Sequence, residues 1–551
     1  MEKIFLGIDV GTGSVRVGAF NRMGKMRGKG EHPIQIWRPR PEFVEQSSED
    51  IWRATSRATR ACLRAGKIDP TSVSGISFDA TCSLVALGDG FTPVTVSPTR
   101  KVDQNIIVWM DHRAIEQADR INRAGHEVLR YVGGKVSPEM EPPKLLWIKE
   151  HLKETWNKTK KFLDLADYMV YRASGNDMRS LCTTVCKWTY LGHEEAFGRY
   201  RLDFFDHIGI PDLFERERVP FRSYPMGLNA GGLTKNAAKE LGLGEGTPVG
   251  VGIIDAHAGG IGSLGSILKN GRPEENPFEH SIALIGGTSS CHMAVSREPR
   301  FISGVWGPYY GAMVPGMWLN EGGQSATGSL IDLVIRNNAS YLDISKAARG
   351  EGTDVYTFLN QRVERIKKQK GLESVRNFHV LPYFHGNRSP RADPYAKGMV
   401  SGLTLSATPE EVALLYHATI QSIAYGTRHI IEAMNASGYA IRKIHLTGGH
   451  IKNRLFIQEH ADITGCEIVL PKEPEAVLLG TAILGAVASG EFSDIFHGMT
   501  SMCQAAKSIS PNPSTATFHQ AKYEIFKEMY EFQRKIHQEM SIVKKGKAHE
   551  D

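Results

Sequence analysis

The sequence lacks a cysteine framework and any long apolar run. Its seven cysteines are scattered over 551 residues, and the one close pair, Cys182 and Cys186, is spaced C-x3-C without a second pair at zinc-site spacing. We therefore expect free, buried thiols. No apolar run approaches the roughly 18 residues of a membrane span, and the N-terminus lacks the basic and apolar regions of a signal peptide. These absences predict a cytoplasmic location and no membrane partner.

A strong charge of one sign is also missing. The chain carries 66 basic and 60 acidic residues, a net charge of +6, and the dense basic run is the short tail at 543–547. Such a balance argues against nucleic acid as a partner. The hydrophobic fraction of 41% and the charged fraction of 23% are typical of globular proteins. The length predicts two or more domains.

Two strand-rich segments begin alike. An apolar strand, a short Gly-Thr turn and a second apolar strand fill 3–20, and the same pattern returns at 281–295. Each reads as a hairpin, which predicts an α/β protein of two related halves with a ligand cleft between them. The expected divisions are an N-terminal domain (1–265), a connecting segment (266–280), a C-terminal domain (281–495) and a helical extension with a charged tail (496–551). Helices are predicted over 48–66, 111–124, 143–152, 159–171, 409–436, from Asn453, 475–488 and 516–541.

The first turn, "DVGTGSVR" (9–16), has the composition of a phosphate site. Its backbone N–H groups and the hydroxyls of Thr12 and Ser14 can hold phosphate oxygens. Arg16 can add charge-assisted hydrogen bonds, and Asp9 can hold Mg2+ through water. Taken alone, the turn is explained equally well as a tight hairpin whose glycines serve only its geometry. It matches neither the Walker nor the G-x-G-x-x-G fingerprint.

Two further glycine turns change that balance. "GGTSS" (286–290) repeats the first turn, and "TGGHIKN" (447–453) leads into a predicted helix at Asn453. Two facing hairpins could clamp the phosphates of one nucleotide. A diglycine lets backbone approach a flat base closely, and Asn453 could contact the base or ribose.

With these turns in order, the chain resembles the FGGY family of carbohydrate kinases over nearly all of 3–490. The resemblance extends to "WMDHRA" (109–114), "GIIDAH" (252–257), "EGGQSATG" (321–328) and "GNRSPRADPYAKGMVSGL" (386–403). It implies two actin-like, ribonuclease H-like α/β domains with an interdomain cleft. It also implies ATP-dependent, Mg2+-assisted transfer of the γ-phosphoryl group to a sugar hydroxyl.

The resemblance also carries residue roles. Asp255 matches the catalytic base and Asp9 the acid near magnesium. His257, which with Asp255 could be taken for a metal pair, is expected only to support packing. The positions that match ATP contacts are Thr12, Gly13, Ser14, Arg16, Gly287, Thr288, Gly323, Thr327, Gly449 and Asn453. The positions expected to contact the sugar are Ala80, Thr81, Asp111, Lys187, Asp255 and Glu321.

The segment "TCSLV" (81–85) resembles the D-ribulokinase branch of that family. Ala80 and Thr81 stand where glycerol kinases carry an Arg-Glu pair, so glycerol is not the expected substrate. The prediction is a pentulose kinase that phosphorylates D-ribulose at its C5 hydroxyl. Ribitol, L-ribulose and xylulose remain alternatives, as does a non-catalytic, nucleotide-driven switch of the same wider fold. A sugar is the expected partner, and a homodimer is left open.

Overall fold

The structure, a computed structural model, describes residues 2–195, 198–268, 276–406 and 408–546. Strands and helices alternate along this part of the chain. The strands are β1 (Ile4–Val10), β2 (Ser14–Asn21), β3 (Met26–Pro33), β4 (Glu45–Gln46), β5 (Val73–Ala80), β6 (Leu84–Leu87), β7 (Ile106–Ile107), β8 (Lys161–Asp164), β9 (Arg179–Ser180), β10 (Ser223–Tyr224), β11 (Asn229–Gly232), β12 (Pro248–Ile254), β13 (Ser281–Gly286), β14 (Ser290–Ser296), β15 (Trp306–Tyr310), β16 (Trp318–Gln324), β17 (His379–Leu381), β18 (Met399–Ser401), β19 (Lys443–Gly448), β20 (Glu467–Pro471) and β21 (Ala505–Ile509). The α-helices are α1 (Ser48–Gly66), α2 (Ile115–Ala124), α3 (Glu141–His151), α4 (Lys153–Lys158), α5 (Leu165–Ser174), α6 (Leu181–Lys187), α7 (Leu202–His207), α8 (Asp212–Glu215), α9 (Lys235–Leu241), α10 (Asp255–Leu264), α11 (Gly328–Arg336), α12 (Tyr341–Gly350), α13 (Val355–Lys370), α14 (Pro409–Ala436), α15 (Arg454–Thr464), α16 (Ala476–Ala488), α17 (Ile495–Met502) and α18 (Ala516–Gly546).

The first half of the chain is built on a mixed sheet with the strand order β11-β12-β5-β1-β2-β3. Strand β1 pairs antiparallel with β2 and parallel with β5, so the predicted opening hairpin is confirmed. Every residue of β1 is buried, which explains its near-continuous apolar sequence. The strand ends of β1, β5 and β12 lie together, and they bring Asp9, Asp79 and the start of α10 to one edge of the sheet.

The second half repeats this design. Its sheet has the order β15-β16-β14-β13-β19-β20-β21, in which β13 and β14 form an antiparallel hairpin and β19 runs parallel to β13. The second predicted hairpin is therefore confirmed, and so is the α/β fold of two related domains. The turn at 287–289 and the glycines at the end of β19 lie at the same edge of this sheet.

Two helices connect the halves, because each packs on the sheet of the other half. Helix α16, from late in the chain, lies on β1, β5 and β12, whereas α10 lies on β13 and β19. The two helices also cross each other closely, at Gly262 of α10 and Gly480 of α16. A Cβ on Gly262 would collide with the carbonyl oxygen of Ala476, and one on Gly480 with that of Ala258. This contact fixes the helix that begins with Asp255.

The C-terminal extension packs on its own chain. Strand β21 pairs antiparallel with β20, and α18 contacts β17, α14 and α15. Tyr523 and Phe526 of α18 are buried in a cluster with Leu381 and Tyr425. Within the described residues, none of the helices has the length and apolar character needed to cross a membrane.

Most predicted helices are confirmed, including 48–66, 409–436 and 475–488. The prediction of a helix over 159–171 is wrong at its start, because Lys161–Asp164 pairs antiparallel with β6 as strand β8. The helix begins only at Leu165, where the Asp164 carboxylate accepts a hydrogen bond from the Ala166 amide and caps it. In the predicted connecting segment, residues 269–275 lie outside the described residues.

Candidate active site

A cavity of about 350 Å3 lies between the two sheets. Its walls come from the three glycine turns, the start of α10, strand β16 and the loop after β17. Such a concave site between domains, with a few convergent polar groups, is the usual form of a substrate site. The predicted residues that line it are Asp9, Thr12, Arg16, Thr81, Lys187, Asp255, Gly287, Thr288, Glu321 and Gly449.

The first turn presents Thr12 to the cavity. The Gly11 amide donates to the Ser14 carbonyl at 3.0 Å and closes the hairpin. The indole N–H of Trp109 donates to the Thr12 hydroxyl at 3.0 Å, so this hydroxyl is held in a fixed position. Gly13 and Ser14 do not line the cavity, and the Ser14 hydroxyl instead donates to Glu31 at 2.9 Å.

The second turn faces the first and is braced from behind. Thr327 is buried below it, where its amide donates to the Thr288 carbonyl at 3.0 Å. The Thr327 hydroxyl donates to the Gly287 carbonyl at 3.2 Å and also pairs with the Ser290 hydroxyl at 2.9 Å. Gly287 and Thr288 line the cavity, whereas Thr327 does not line it and supports the turn from below.

The third turn contributes backbone only. Gly448 has φ +86, and a Cβ there would collide with the carbonyl of Gly286, so this approach requires glycine. Gly449 lines the cavity, but Asn453 does not. The Asn453 side-chain oxygen caps α15 by accepting hydrogen bonds from the backbone amides of Leu455 and Phe456. Its side-chain nitrogen donates to the Tyr416 hydroxyl at 2.7 Å.

Three carboxyl groups converge beside the first turn. Asp255 is the first residue of α10, and its Oδ1 accepts from the Ala256 amide at 2.7 Å. Burial, with the neighbouring charge of Asp9, raises the pKa of Asp255 to about 6. Burial and Asp9 also raise the pKa of Asp79 well above its usual range, and the Thr481 hydroxyl of α16 donates to Asp79. A carboxyl group poised near neutrality in a cleft is suited to proton transfer.

Arg16 neutralises part of this acidity. Its guanidinium pairs with Asp9 and, at 3.2 Å, with Glu475 beside the start of α16. The Asp9 charge, against the opposing effect of burial, raises the pKa of Arg16 above its ordinary value. This oxygen-rich corner fits a hydrated Mg2+, since Asp9 lines the cavity and the buried carboxyl of Asp79 lies directly beside it.

Another part of the cavity wall carries Lys187 and Glu321, whereas Thr81 lies beside the first turn, where its amide donates to the Val10 carbonyl at 3.1 Å. Lys187 is only 3% exposed and ends α6, where its ammonium lies 4.5 Å from the centroid of the Trp306 ring. Burial lowers the pKa of Lys187, but the surrounding Cys82 and Glu321 outweigh it and the net shift is upward. The site therefore holds a charged ammonium against an aromatic face.

Sequence reasoning missed two charged residues in this part of the cavity wall. Arg388, in the loop after β17, contacts Glu139 at 3.0 Å and Glu321 at 3.7 Å, and stacks over Trp306 at 4.6 Å. Although burial opposes ionisation of Glu139, the Arg388 guanidinium holds the pKa of Glu139 far below its usual range. The motif "GNRSPR" contained Arg388, but nothing in its spacing indicated which of its charges faces the cleft.

Two predicted sugar contacts do not line the cavity. Ala80 is buried within β5. Asp111 is fully buried, where both its oxygens bind the Arg113 guanidinium and Oδ2 accepts from the Val44 amide at 2.6 Å. Gly323, predicted to contact ATP, does not line the cavity either: it is buried in β16, and a Cβ there would come within 2.5 Å of the Arg388 side chain.

His257, which was predicted to support packing, is buried next to Cys186 and Glu321. Its ring is 1% exposed, and Nε2 lies 3.5 Å from the Cys186 sulfur and 4.0 Å from a Glu321 oxygen. Burial lowers the pKa of His257 to about 4. The ring is thus neutral and lies directly beneath the end of the cavity that holds Lys187 and Glu321.

Comparison with known proteins identifies the family. Residues 4–262 match the N-terminal domain, and residues 282–489 the C-terminal domain, of the FGGY family of carbohydrate kinases. An FGGY carbohydrate kinase domain-containing protein of Xenopus laevis is 49% identical over 541 residues, which cover 97% of each chain. A D-ribulokinase of Saccharomyces cerevisiae is 38% identical over 517 residues, 89% of this chain and 72% of that protein.

The fold is also that of solved sugar kinases. The crystal structure of a xylulose kinase from Rhodospirillum rubrum superposes with a TM-score of 0.75 at 19% identity, covering 97% of this chain and 99% of that one. The expected resemblance to the ribulokinase branch is confirmed by the yeast protein and by a ribulokinase of Bacillus licheniformis, which is 30% identical over 539 residues, 94% of this chain and 92% of that protein. The chain is a carbohydrate kinase and belongs to the FGGY family.

Proposed function

We propose that this kinase transfers the γ-phosphoryl group of ATP to the C5 hydroxyl of D-ribulose, giving D-ribulose 5-phosphate. One observation carries the proposal: Asp255 opens into the same cavity as the two Gly-Thr turns and as Lys187 and Glu321. A carboxylate between a phosphate site and a polyol site is what direct phosphoryl transfer to a hydroxyl requires.

The turns at Thr12 and Thr288 are proposed to hold the nucleotide phosphates from opposite sides. Each offers backbone N–H groups and a hydroxyl, and the Thr12 hydroxyl is already oriented by Trp109. Gly449 offers a bare backbone where adenosine would lie. Asp9, with Asp79 behind it, would hold the hydrated Mg2+, which neutralises phosphate charge during such transfers.

Asp255 is proposed to act as the general base. Its carboxylate accepts the proton of the attacking hydroxyl as the new P–O bond forms and the bond from the γ-phosphorus to the bridging oxygen of ADP breaks. A base with a pKa of about 6 is ionised at neutral pH yet basic enough to assist. Such assistance typically contributes about 10²–10⁴-fold to the rate.

Sugar selection is assigned to Thr81, Lys187 and Glu321, with Arg388 and Glu139 around them. An ammonium and a carboxylate can satisfy several hydroxyls, and a wrong isomer leaves one of these buried groups unpaired. The choice of D-ribulose is supported by the 38% identity to the yeast D-ribulokinase and by "TCSLV" at 81–85.

A substrate panel tests the proposal. Purified protein is assayed by ADP release with D-ribulose, L-ribulose, D-xylulose and ribitol over a range of concentrations. We expect the highest kcat/KM with D-ribulose, because discrimination by hydrogen-bonding sites between sugar isomers is large. A kcat/KM for any other member of the panel that equals or exceeds that for D-ribulose would show that the substrate assignment is wrong.

A further inference from the structure

Two cysteines and a histidine meet beneath the sugar end of the cavity. Cys182 and Cys186 lie one turn apart on α6, and His257 lies on α10 about seventy residues later. All three are buried, and their sulfur and nitrogen atoms all lie within 4.8 Å of one another. The C-x3-C spacing alone gave no sign of a third ligand, because the histidine reaches the pair only through the fold.

The distances suit a tetrahedral metal ion. Bonds of about 2.3 Å to sulfur and about 2.0 Å to nitrogen place ligand atoms roughly 3.5–3.8 Å apart around Zn2+. The Cys186 sulfur lies 3.5 Å from Nε2 of His257. A carboxylate oxygen of Glu321 lies 4.0 Å from the same nitrogen, on the cavity side. Its other oxygen faces Arg388 at 3.7 Å, so Glu321 lies between the three buried residues and the cavity.

We propose that Cys182, Cys186 and His257 form a three-ligand binding site for a divalent cation of the zinc class. Binding replaces the two thiol protons, which pass to solvent, and leaves His257 neutral. Two thiolates and an imidazole are the donors that such an ion prefers over Mg2+.

The site would tie together two elements of the cavity. Cys186 directly precedes Lys187 at the end of α6, and His257 follows Asp255 by two residues on α10. An ion between them would therefore fix the proposed sugar ligand and the proposed base relative to each other. Metal binding at these residues does not depend on the proposed substrate or on turnover.

The experiment uses the full chain, reduced and treated with a chelator, then incubated with one equivalent of Co2+. We expect a thiolate-to-cobalt charge-transfer band that disappears when Zn2+ is added, and one zinc ion per chain retained after gel filtration. Wild-type protein that gives no such band and retains no zinc would overturn the proposal.

Variants locate the site. Cys182→Ala/Cys186→Ala should lose the band, whereas Cys466→Ala, which removes another buried thiol, should keep it. Should the double variant not fold, Cys186→Ala alone, checked by circular dichroism, serves instead. A band retained in a folded Cys186→Ala or double variant would contradict the assignment. Asp255→Asn should bind the metal like wild type, which separates this proposal from the kinase mechanism.

Discussion

Gly323→Ala tests whether Arg388 shapes the sugar end of the cavity. An added Cβ would lie 2.5 Å from the Arg388 Cδ and 2.7 Å from one of its terminal nitrogens. Ordinary contact needs about 3.4 Å or more, so Arg388 must move by roughly 1 Å. It cannot move freely, because Glu139 holds it at 3.0 Å and Trp306 stacks on it. A shift of this size at a reacting site can cost about 10²-fold.

We expect KM for the sugar to rise about 10- to 100-fold in Gly323→Ala, with KM for ATP nearly unchanged. The measurement is initial-rate kinetics with either substrate varied. Gly350→Ala is the matched control, because Gly350 lies in a helix with open space around its Cα. A sugar KM within about twofold of wild type would refute the reasoning.

A second variant identifies the cause. If the effect of Gly323→Ala acts through Arg388, it should largely vanish in an Arg388→Ala background, because the Cδ and the guanidinium with which the added Cβ collides are then absent. Residues in direct contact show such non-additivity in double-mutant cycles. If Gly323→Ala raised the sugar KM equally in both backgrounds, the cause would lie in another contact of β16 and not in Arg388.

Three further predictions follow from the same geometry. Below pH 6, kcat/KM should fall about tenfold per pH unit, because protonation of Asp255, whose pKa is about 6, removes the base; a profile flat from pH 7 to pH 5 would contradict this. Arg388→Lys should raise the sugar KM about 10- to 100-fold by weakening a charge-assisted bond to Glu139, and steady-state kinetics that show no rise would argue against that contact. Thr481→Val should lower the free energy of unfolding in urea by about 1–3 kcal/mol, because it removes the hydrogen-bond donor to buried Asp79; an unchanged midpoint would disprove the bond's importance.

The sequence allowed the frame of the fold to be predicted because its signals are local. Two apolar strands joined by a short Gly-Thr turn favour a hairpin, and both hairpins are present. Strand β8 was not predicted because it has only four residues and lies directly before a helix. Such a short segment shows no periodicity that distinguishes a strand from the first turn of that helix. Tertiary pairing with β6 decides their structure.

The site was predictable only where the fold places a residue at a turn or strand end. Asp255 and Thr12 follow buried strands, so their position at the sheet edge could be inferred. Asp111 is of a residue type that often binds ligands, but its carboxylate forms a buried salt bridge with Arg113, two residues later. Arg388 comes from a loop that reaches the cavity through long-range packing, which no local pattern encodes.

The single most direct test of the account is D-ribulose-dependent ADP release by Asp255→Asn, measured beside nucleotide binding to the same protein. Asparagine keeps the size of the side chain but cannot accept the proton as a carboxylate does. We expect a kcat reduced about 10²–10⁴-fold, with the affinity for ATP within about twofold of wild type. A variant that retains near-normal kcat would contradict the role of Asp255 as the base.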